Sequence, residues 1–147
     1  MENRGYRVLA WTFLSLALLG FLFDTPAAIL QGLLDIVTDP DYLITDYMGV
    51  GGVGAAFVNS GLVSLLCIGL LRLNRVEVTG ITFAAVWTVA GFSFFGKNIL
   101  NVWFIVAGVW LYARYQREPF SRFIYSALFG TALAPLVTQI LFSFGLP

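Results

Sequence analysis

The sequence predicts an all-α, polytopic membrane helix bundle with about five hydrophobic segments and one amphipathic outer helix. Of its 147 residues, 59% are hydrophobic and only 11% are charged, whereas about a quarter of the residues in a soluble domain are charged. This chain has more apolar surface than one small core could hide, so a lipid bilayer is its predicted environment. Residues 1–147 are expected to form a single integral membrane domain.

Five apolar windows are the predicted membrane segments. They cover residues 8–23, 48–71, 80–95, 99–113 and 123–144. A hydrocarbon core of about 30 Å needs roughly 20 helical residues. The second and fifth windows are long enough, whereas the third and fourth are short, at ~16 and ~15 residues. This short pair is expected to form either two thin spanning helices or a re-entrant hairpin that enters and leaves on one side. The first window is expected to be retained, because no small-x-small cleavage pattern follows it.

The basic residues predict the orientation. They precede the first window, follow the second and separate the fourth from the fifth: Arg4, Arg7, Arg72, Arg75, Arg114, Arg117 and Arg122. The positive-inside rule makes these three places cytoplasmic, with the N-terminus inside a bacterial inner membrane and the C-terminus outside. The connection between the first two windows, which is then outside, holds five aspartates: Asp24, Asp35, Asp39, Asp41 and Asp46.

An amphipathic helix is predicted within this outer connection. Thr25 and Pro26 are typical of an N-cap and a first-turn proline, and "AAILQGLLDIV" places Gln31 and Asp35 on one face. The turn residues "TDPD" end the helix. It is expected either to lie at the membrane interface or to dip back into the membrane.

The second window contains a stripe of small residues. The stripe repeats every four residues at Gly52, Ala56, Ser60 and Ser64. Such a stripe lets another helix approach closely. Asn59 lies beside it near mid-depth, where a buried amide needs a partner or a watery cavity, so Asn59 and Ser60 are candidates to line a pathway.

The fifth window contains a second stripe, at Gly130, Ala134 and Thr138. Pro135 removes a backbone donor within it and should leave the carbonyl of Thr131 without its usual partner, so a kink is predicted. That kink is either structural or a break that forms a site. In the second case Thr131, Pro135 and Gln139 would put polar groups inside the membrane.

The stretch "FFGKNILN" places Lys97 between two apolar runs. In one architecture Lys97 reaches the headgroups from an exposed tip, and Asn98 caps a helix that begins at Ile99. In the other, Gly96, Lys97 and Asn98 lie part-way through the membrane. There the ammonium and the free N–H groups of the next helix would attract an anionic or strongly dipolar solute, and Asn101 would add an amide.

Composition excludes several classes of function. The chain has no histidine, one cysteine and zero formal net charge, so no metal, no cofactor, no nucleic acid and no catalytic residue is expected. No nucleophile, base and orienting group can be assembled from these residues, and an enzyme is therefore not expected.

The runs "FFGKNILNVWFIVAGVWLYARY" and "EPFSRFIYSALFGTALAPLVTQI" resemble a family of bacterial multi-pass membrane proteins known only as a domain of unknown function. The resemblance extends from about Thr25 onward. It implies members about twice this length with two related halves, of which this chain corresponds to one. It implies no activity, so no functional residue is carried over.

Together these features predict a channel or transporter for a small polar or anionic solute. An odd number of spans suits an inverted pair, formed either by a homodimer or with a second related half. The candidate lining residues are Lys97, Asn98, Asn101, Asn59, Ser60, Thr131, Pro135 and Gln139. The alternative is a non-transporting membrane scaffold or sensor whose outer aspartates bind a cation or a partner.

Overall fold

The computed structural model describes residues 2–39 and 44–143, and the regular structure in these ranges is helical throughout. The described helices are α1 (Glu2–Leu19), α2 (Pro26–Thr38), α3 (Tyr47–Gly51), α4 (Val53–Leu73), α5 (Gly80–Phe92), α6 (Val102–Tyr115), α7 (Ile124–Gly130) and α8 (Ala134–Ser143). The predicted all-α class is confirmed. The predictions that involve Asp41 and Phe144 lie outside the described residues.

Two helices of the described chain are long and apolar enough to cross a membrane. They are Arg4–Leu22, which combines α1 with the 3-10 turn after it, and α4, which has 21 residues. The short third and fourth windows become α5 and α6, with 13 and 14 residues. The fifth window is interrupted, because the 3-10 turn Thr131–Leu133 separates α7 from α8.

Helices α1 and α4 pack closely because glycines lie at their contact. A Cβ atom on Gly54 would lie 2.7 Å from the carbonyl oxygen of Gly20, and one on Gly61 would lie 2.7 Å from that of Phe13. Both distances are too short for a side chain, so these two glycines set the approach of the helices.

The predicted small-residue stripe of α4 contacts another helix, α5, through Ser60. Ala56, Ser60 and Ser64 are fully buried, and the Ser60 hydroxyl donates to the carbonyl of Ala90 on α5 at 2.8 Å. Gly52 precedes α4 with a φ of 88°, a left-handed backbone that suits glycine. The stripe is therefore a packing surface as expected, but the glycines that meet α1 are different ones.

We predict that Gly61→Ala destabilises the protein by about 1–3 kcal/mol, because the new methyl group overpacks the contact with α1. Thermal unfolding in detergent would measure the loss. The matched control is Gly69→Ala on the same helix, since nothing lies within 4 Å of a Cβ atom there. Equal melting temperatures for the two variants would contradict the close approach.

Two hydrogen bonds show that the segments carrying most of the arginines lie at one end of the bundle. The Tyr6 hydroxyl donates to the carbonyl of Val76 at 2.6 Å, and the hydroxyls of Thr82 and Tyr125 lie 2.7 Å apart. The start of α1, the α4–α5 connection and the start of α7 therefore lie at the same end. We call it the basic end, because its segments hold Arg4, Arg7, Arg72, Arg75, Arg117 and Arg122.

Helices α2 and α3 cover the start of α4. A Cβ atom on Gly32 of α2 would lie 1.9 Å from the carbonyl oxygen of Gly51 of α3. The N-terminus of α2 is as predicted, since the Thr25 side chain accepts from the N–H of Ala28 at 3.3 Å. We call α2 and α3 the outer layer.

Candidate functional site

The connection between α5 and α6, residues 93–101, is an irregular loop whose polar side chains are buried. Its buried members are Ser93, Gly96, Lys97, Asn98 and Asn101. Gly96 has a φ of 102°, which lets the chain turn where a residue with a Cβ atom would be strained. The polar backbone of a buried loop needs partners. Helices α4 and α3 supply some of them, while α2 and α8 form hydrogen bonds with side chains of the loop.

Asn59 of α4 ties down the start and the middle of this loop. Its Nδ2 donates to the carbonyl oxygens of Ser93 at 2.7 Å and Lys97 at 2.9 Å. Its Oδ1 is buried and has no hydrogen-bond partner among the described residues. The Nδ2 of Asn59 therefore holds the loop, whereas its Oδ1 could still accept a hydrogen bond.

Asn98 connects the loop to the outer layer. Its Oδ1 accepts from the N–H groups of Leu100 and Asn101, both at 2.9 Å. Its Nδ2 donates to the hydroxyl of Tyr47 at 3.1 Å and to the carbonyl of Ile36 at 3.3 Å. Asn98 thus caps the following turn, and both ends of its amide hold protein groups.

Asn101 connects the loop to α8. Its Oδ1 accepts from the N–H of Asn98 at 2.9 Å, and its Nδ2 donates to the carbonyl of Gly96 at 2.8 Å and the hydroxyl of Thr138 at 2.9 Å. Helix α6 begins only at Val102, later than predicted, because the Asn98 and Asn101 amides hold the preceding residues in turns.

Lys97, like Asn59, has a buried polar atom that this network leaves without a hydrogen-bond partner. Only 1% of the residue is exposed, and its Nζ has no hydrogen-bond partner among the described residues. Its contact is with the ring of Phe92, whose centroid lies 5.4 Å from Nζ. The expectation of a side chain that reaches outward from an exposed tip does not match this burial.

The arrangement has a clear electrostatic consequence. A buried ammonium without a partner is costly, and a ring face compensates only a small part of the cost. A bound anion would compensate much more, since it could accept several charge-assisted hydrogen bonds from Nζ. A negative charge beside Nζ would therefore be stabilised at this position.

The site residues predicted in the fifth window, Thr131, Pro135 and Gln139, form no side-chain hydrogen bond with the described residues of this loop. Pro135 is in the first turn of α8, and the helix breaks just before it. As predicted, the Thr131 carbonyl lacks its usual partner, since Pro135 has no N–H, and it accepts the N–H of Ala134 in a 3-10 turn instead. The Thr131 hydroxyl donates to the carbonyl of Leu128 at 2.6 Å. Gln139 is half-buried.

Sequence reasoning missed two members of the network. Thr138 appeared only as part of a packing stripe, yet its hydroxyl accepts the Asn101 amide. Tyr47, the first residue of α3, is fully buried, and its N–H donates to the carbonyl of Phe94 at 3.1 Å. No spacing rule links Tyr47 to a loop so far along the chain, so the sequence carried no signal for it.

Of the aspartates between the first two windows, Asp24, Asp35 and Asp46 accept hydrogen bonds from protein groups. Asp24 accepts from the N–H of Gly54 at 2.7 Å, and Asp46 caps α3 by accepting from the N–H of Met48 at 3.0 Å. Within residues 2–39 and 44–143, no group of three or more His, Cys, Asp or Glu side chains could hold a metal ion.

Comparison with known proteins gives one match. A family model described as "Protein of unknown function (DUF1576)" matches residues 25–147, the same region in which the resemblance was recognised. No curated protein and no solved structure matches the chain.

Proposed function

We propose that this chain, which belongs to the DUF1576 family of proteins of unknown function, is a membrane channel or transporter. It binds a small anionic solute at Lys97. The observation that carries this proposal is the buried Nζ of Lys97, which no described residue pairs with. The anion would supply the missing counter-charge.

Membrane insertion is supported by the apolar outer surface of the helices. Large hydrophobic side chains are more than half exposed on α1, α2, α5 and α6, among them Trp11, Leu18, Leu30, Trp87 and Leu111. Soluble monomers rarely expose apolar patches larger than a few hundred Å². Lipid acyl chains would cover this surface.

The hairpin formed by α5 and α6 is then re-entrant. If the arginines place the basic end in the cytoplasm, the 13 residues of α5 rise about 20 Å from that side. The hydrocarbon core is about 30 Å thick, so the 93–101 loop lies within it, beneath the outer layer. Irregular backbone at this depth is tolerated where protein buries it or where it lines a water-filled cavity.

A second unit would complete the path. One hairpin covers only about two-thirds of the core thickness, and an inverted partner would bring a matching hairpin from the other side. That partner is a second copy of this chain or a related half.

Flux measurements in proteoliposomes test the proposed function. We expect chloride, nitrate or formate to cross faster than in protein-free vesicles, while sodium does not, because the buried charge at Lys97 is positive. Urea serves as the neutral polar probe, and faster urea than anion flux would contradict an anionic solute. Flux at the protein-free rate for every solute would refute the function.

We also predict the labelling pattern for single cysteines in a Cys67→Ala background. With an impermeant maleimide in right-side-out cells, Thr38→Cys on α2 should react quickly, since this residue is exposed in the outer layer. Gln116→Cys, exposed near the basic end, should react only after permeabilisation. Lys97→Cys should stay slow from both sides and recover after unfolding in detergent. Fast labelling at position 97 from outside would contradict the buried loop.

A further inference from the structure

A groove of about 520 Å³ lies beside the end of α5. Its walls are Ile44, Thr88, Gly91, Phe92 and Phe95, so apart from one hydroxyl the side chains that line it are apolar. Its volume falls in the range typical of small-molecule pockets. An apolar groove alone names no ligand, because lipid could fill it.

Phe92 connects the groove to the buried ammonium. The residue is 46% exposed and lines the groove, while the Nζ of Lys97 lies 5.4 Å from the centroid of the same ring. The same aromatic side chain therefore contacts both the groove and the unpartnered charge. Phe92 is the last residue of α5, and its carbonyl accepts the N–H groups of Phe95 at 2.9 Å and of Lys97 at 3.3 Å.

We propose that Lys97 and this groove form one binding site for an amphipathic organic anion, with Phe92 as the movable wall between them. This inference rests on the proposed function and specifies the chemical class of its solute. The carboxylate or sulfonate head group pairs with the Lys97 ammonium, and a short hydrocarbon tail lies in the groove.

Charge and surface together select this class of ligand. A cation would be repelled by Lys97, and a neutral apolar molecule would leave the ammonium unpaired. An inorganic anion would gain the charge interaction but no burial in the groove. Only a ligand with both parts uses the positive charge and the apolar wall.

Binding of alkanesulfonates to the protein in phosphatidylcholine nanodiscs tests the ligand class. Hexanesulfonate is always ionised, methanesulfonate has the same head group without the tail, and hexanol has the tail without the charge. We expect hexanesulfonate to bind at least about tenfold more tightly than methanesulfonate, because burial of even two methylene groups is enough for that ratio. Hexanol should not compete, and Lys97→Met should weaken hexanesulfonate binding at least about tenfold.

The outcomes separate this inference from the proposed function. Equal affinities for the two sulfonates would overturn the groove as part of the site, while Lys97-dependent anion flux would still support the function. Hexanesulfonate binding that Lys97→Met leaves unchanged would overturn the site itself. Absence of hexanesulfonate binding would have the same meaning, whatever the flux of smaller anions.

Labelling tests the role of Phe92 as the wall. In the Lys97→Cys, Cys67→Ala protein, we expect Phe92→Ala to accelerate reaction with the anionic reagent sulfonatoethyl methanethiosulfonate at least about tenfold. The matched control is Phe95→Ala, because Phe95 lines the same groove, whereas the recorded ring contact of Lys97 is with Phe92. Equal acceleration in the two variants, or none in either, would show that Phe92 is not the barrier.

Discussion

Replacement of Lys97 by methionine is expected to reduce anion flux at least about a hundredfold while making the protein more stable. The flux falls because the variant loses the buried positive charge that compensates the anion. The stability rises by about 1–3 kcal/mol because methionine keeps most of the apolar stem and removes an ammonium that has no described partner. A purely structural lysine would not show this opposition between flux and stability.

Proteoliposome flux and thermal unfolding of the same preparation measure the two effects. The control is Arg72→Met, which removes one positive charge from an exposed residue of α4 and should leave both flux and melting temperature nearly unchanged. If Lys97→Met instead lowers the melting temperature together with the flux, the ammonium stabilises the fold. The proposal of a solute-binding charge would then fail.

The sequence could predict the helical class and a lysine in the connection between the third and fourth windows, but not how residues 93–101 are held. A lysine between two apolar runs is visible in the sequence. The partners of Asn59 are not, because they are backbone carbonyls of Ser93 and Lys97, and backbone groups leave no side-chain pattern. The amides of Asn98 and Asn101 hold the loop in the structure, and that they line a pathway stays a prediction.

The sequence predicted that α4 packs closely against a neighbouring helix, but not which residues of α4 meet which helix. Spacing of four residues selected Gly52, Ala56 and Ser60, but α1 meets Gly54 and Gly61. Several stripes of small residues share this helix, and periodicity does not say which neighbour each one contacts. The distribution of small residues therefore predicts close packing without predicting the partner.

The break in the fifth window shows a similar limit. Pro135 correctly predicts that the helix is interrupted, because proline has no N–H to donate. It does not predict how the chain compensates. A tighter turn at residues 131–133 lets the N–H of Ala134 reach the carbonyl of Thr131, so a backbone group takes the place of the usual partner.

Asn98→Ala is expected to cause the largest loss of stability among substitutions in the loop, about 3 kcal/mol. The variant removes four side-chain hydrogen bonds: those to the N–H groups of Leu100 and Asn101, to the hydroxyl of Tyr47 and to the carbonyl of Ile36. A buried group left without its partner costs about 1–3 kcal/mol in a soluble protein, while single interhelical hydrogen bonds in membranes average about 0.6 kcal/mol. The expected loss is larger than four bonds at the membrane average and smaller than four at the soluble-protein value.

Chemical or thermal unfolding of Asn98→Ala in detergent measures this loss. Its control is Asn74→Ala, since Asn74 is half-buried at the end of α4 and its Nδ2 donates to the carbonyl of Leu70 at 2.8 Å; that variant should lose less than about 1 kcal/mol. If Asn98 only holds the loop, anion flux should recover at temperatures where the variant is folded. Normal stability with lost flux would mean that the Asn98 amide contacts the solute, because a group that only positions the loop cannot be removed without a cost to the fold.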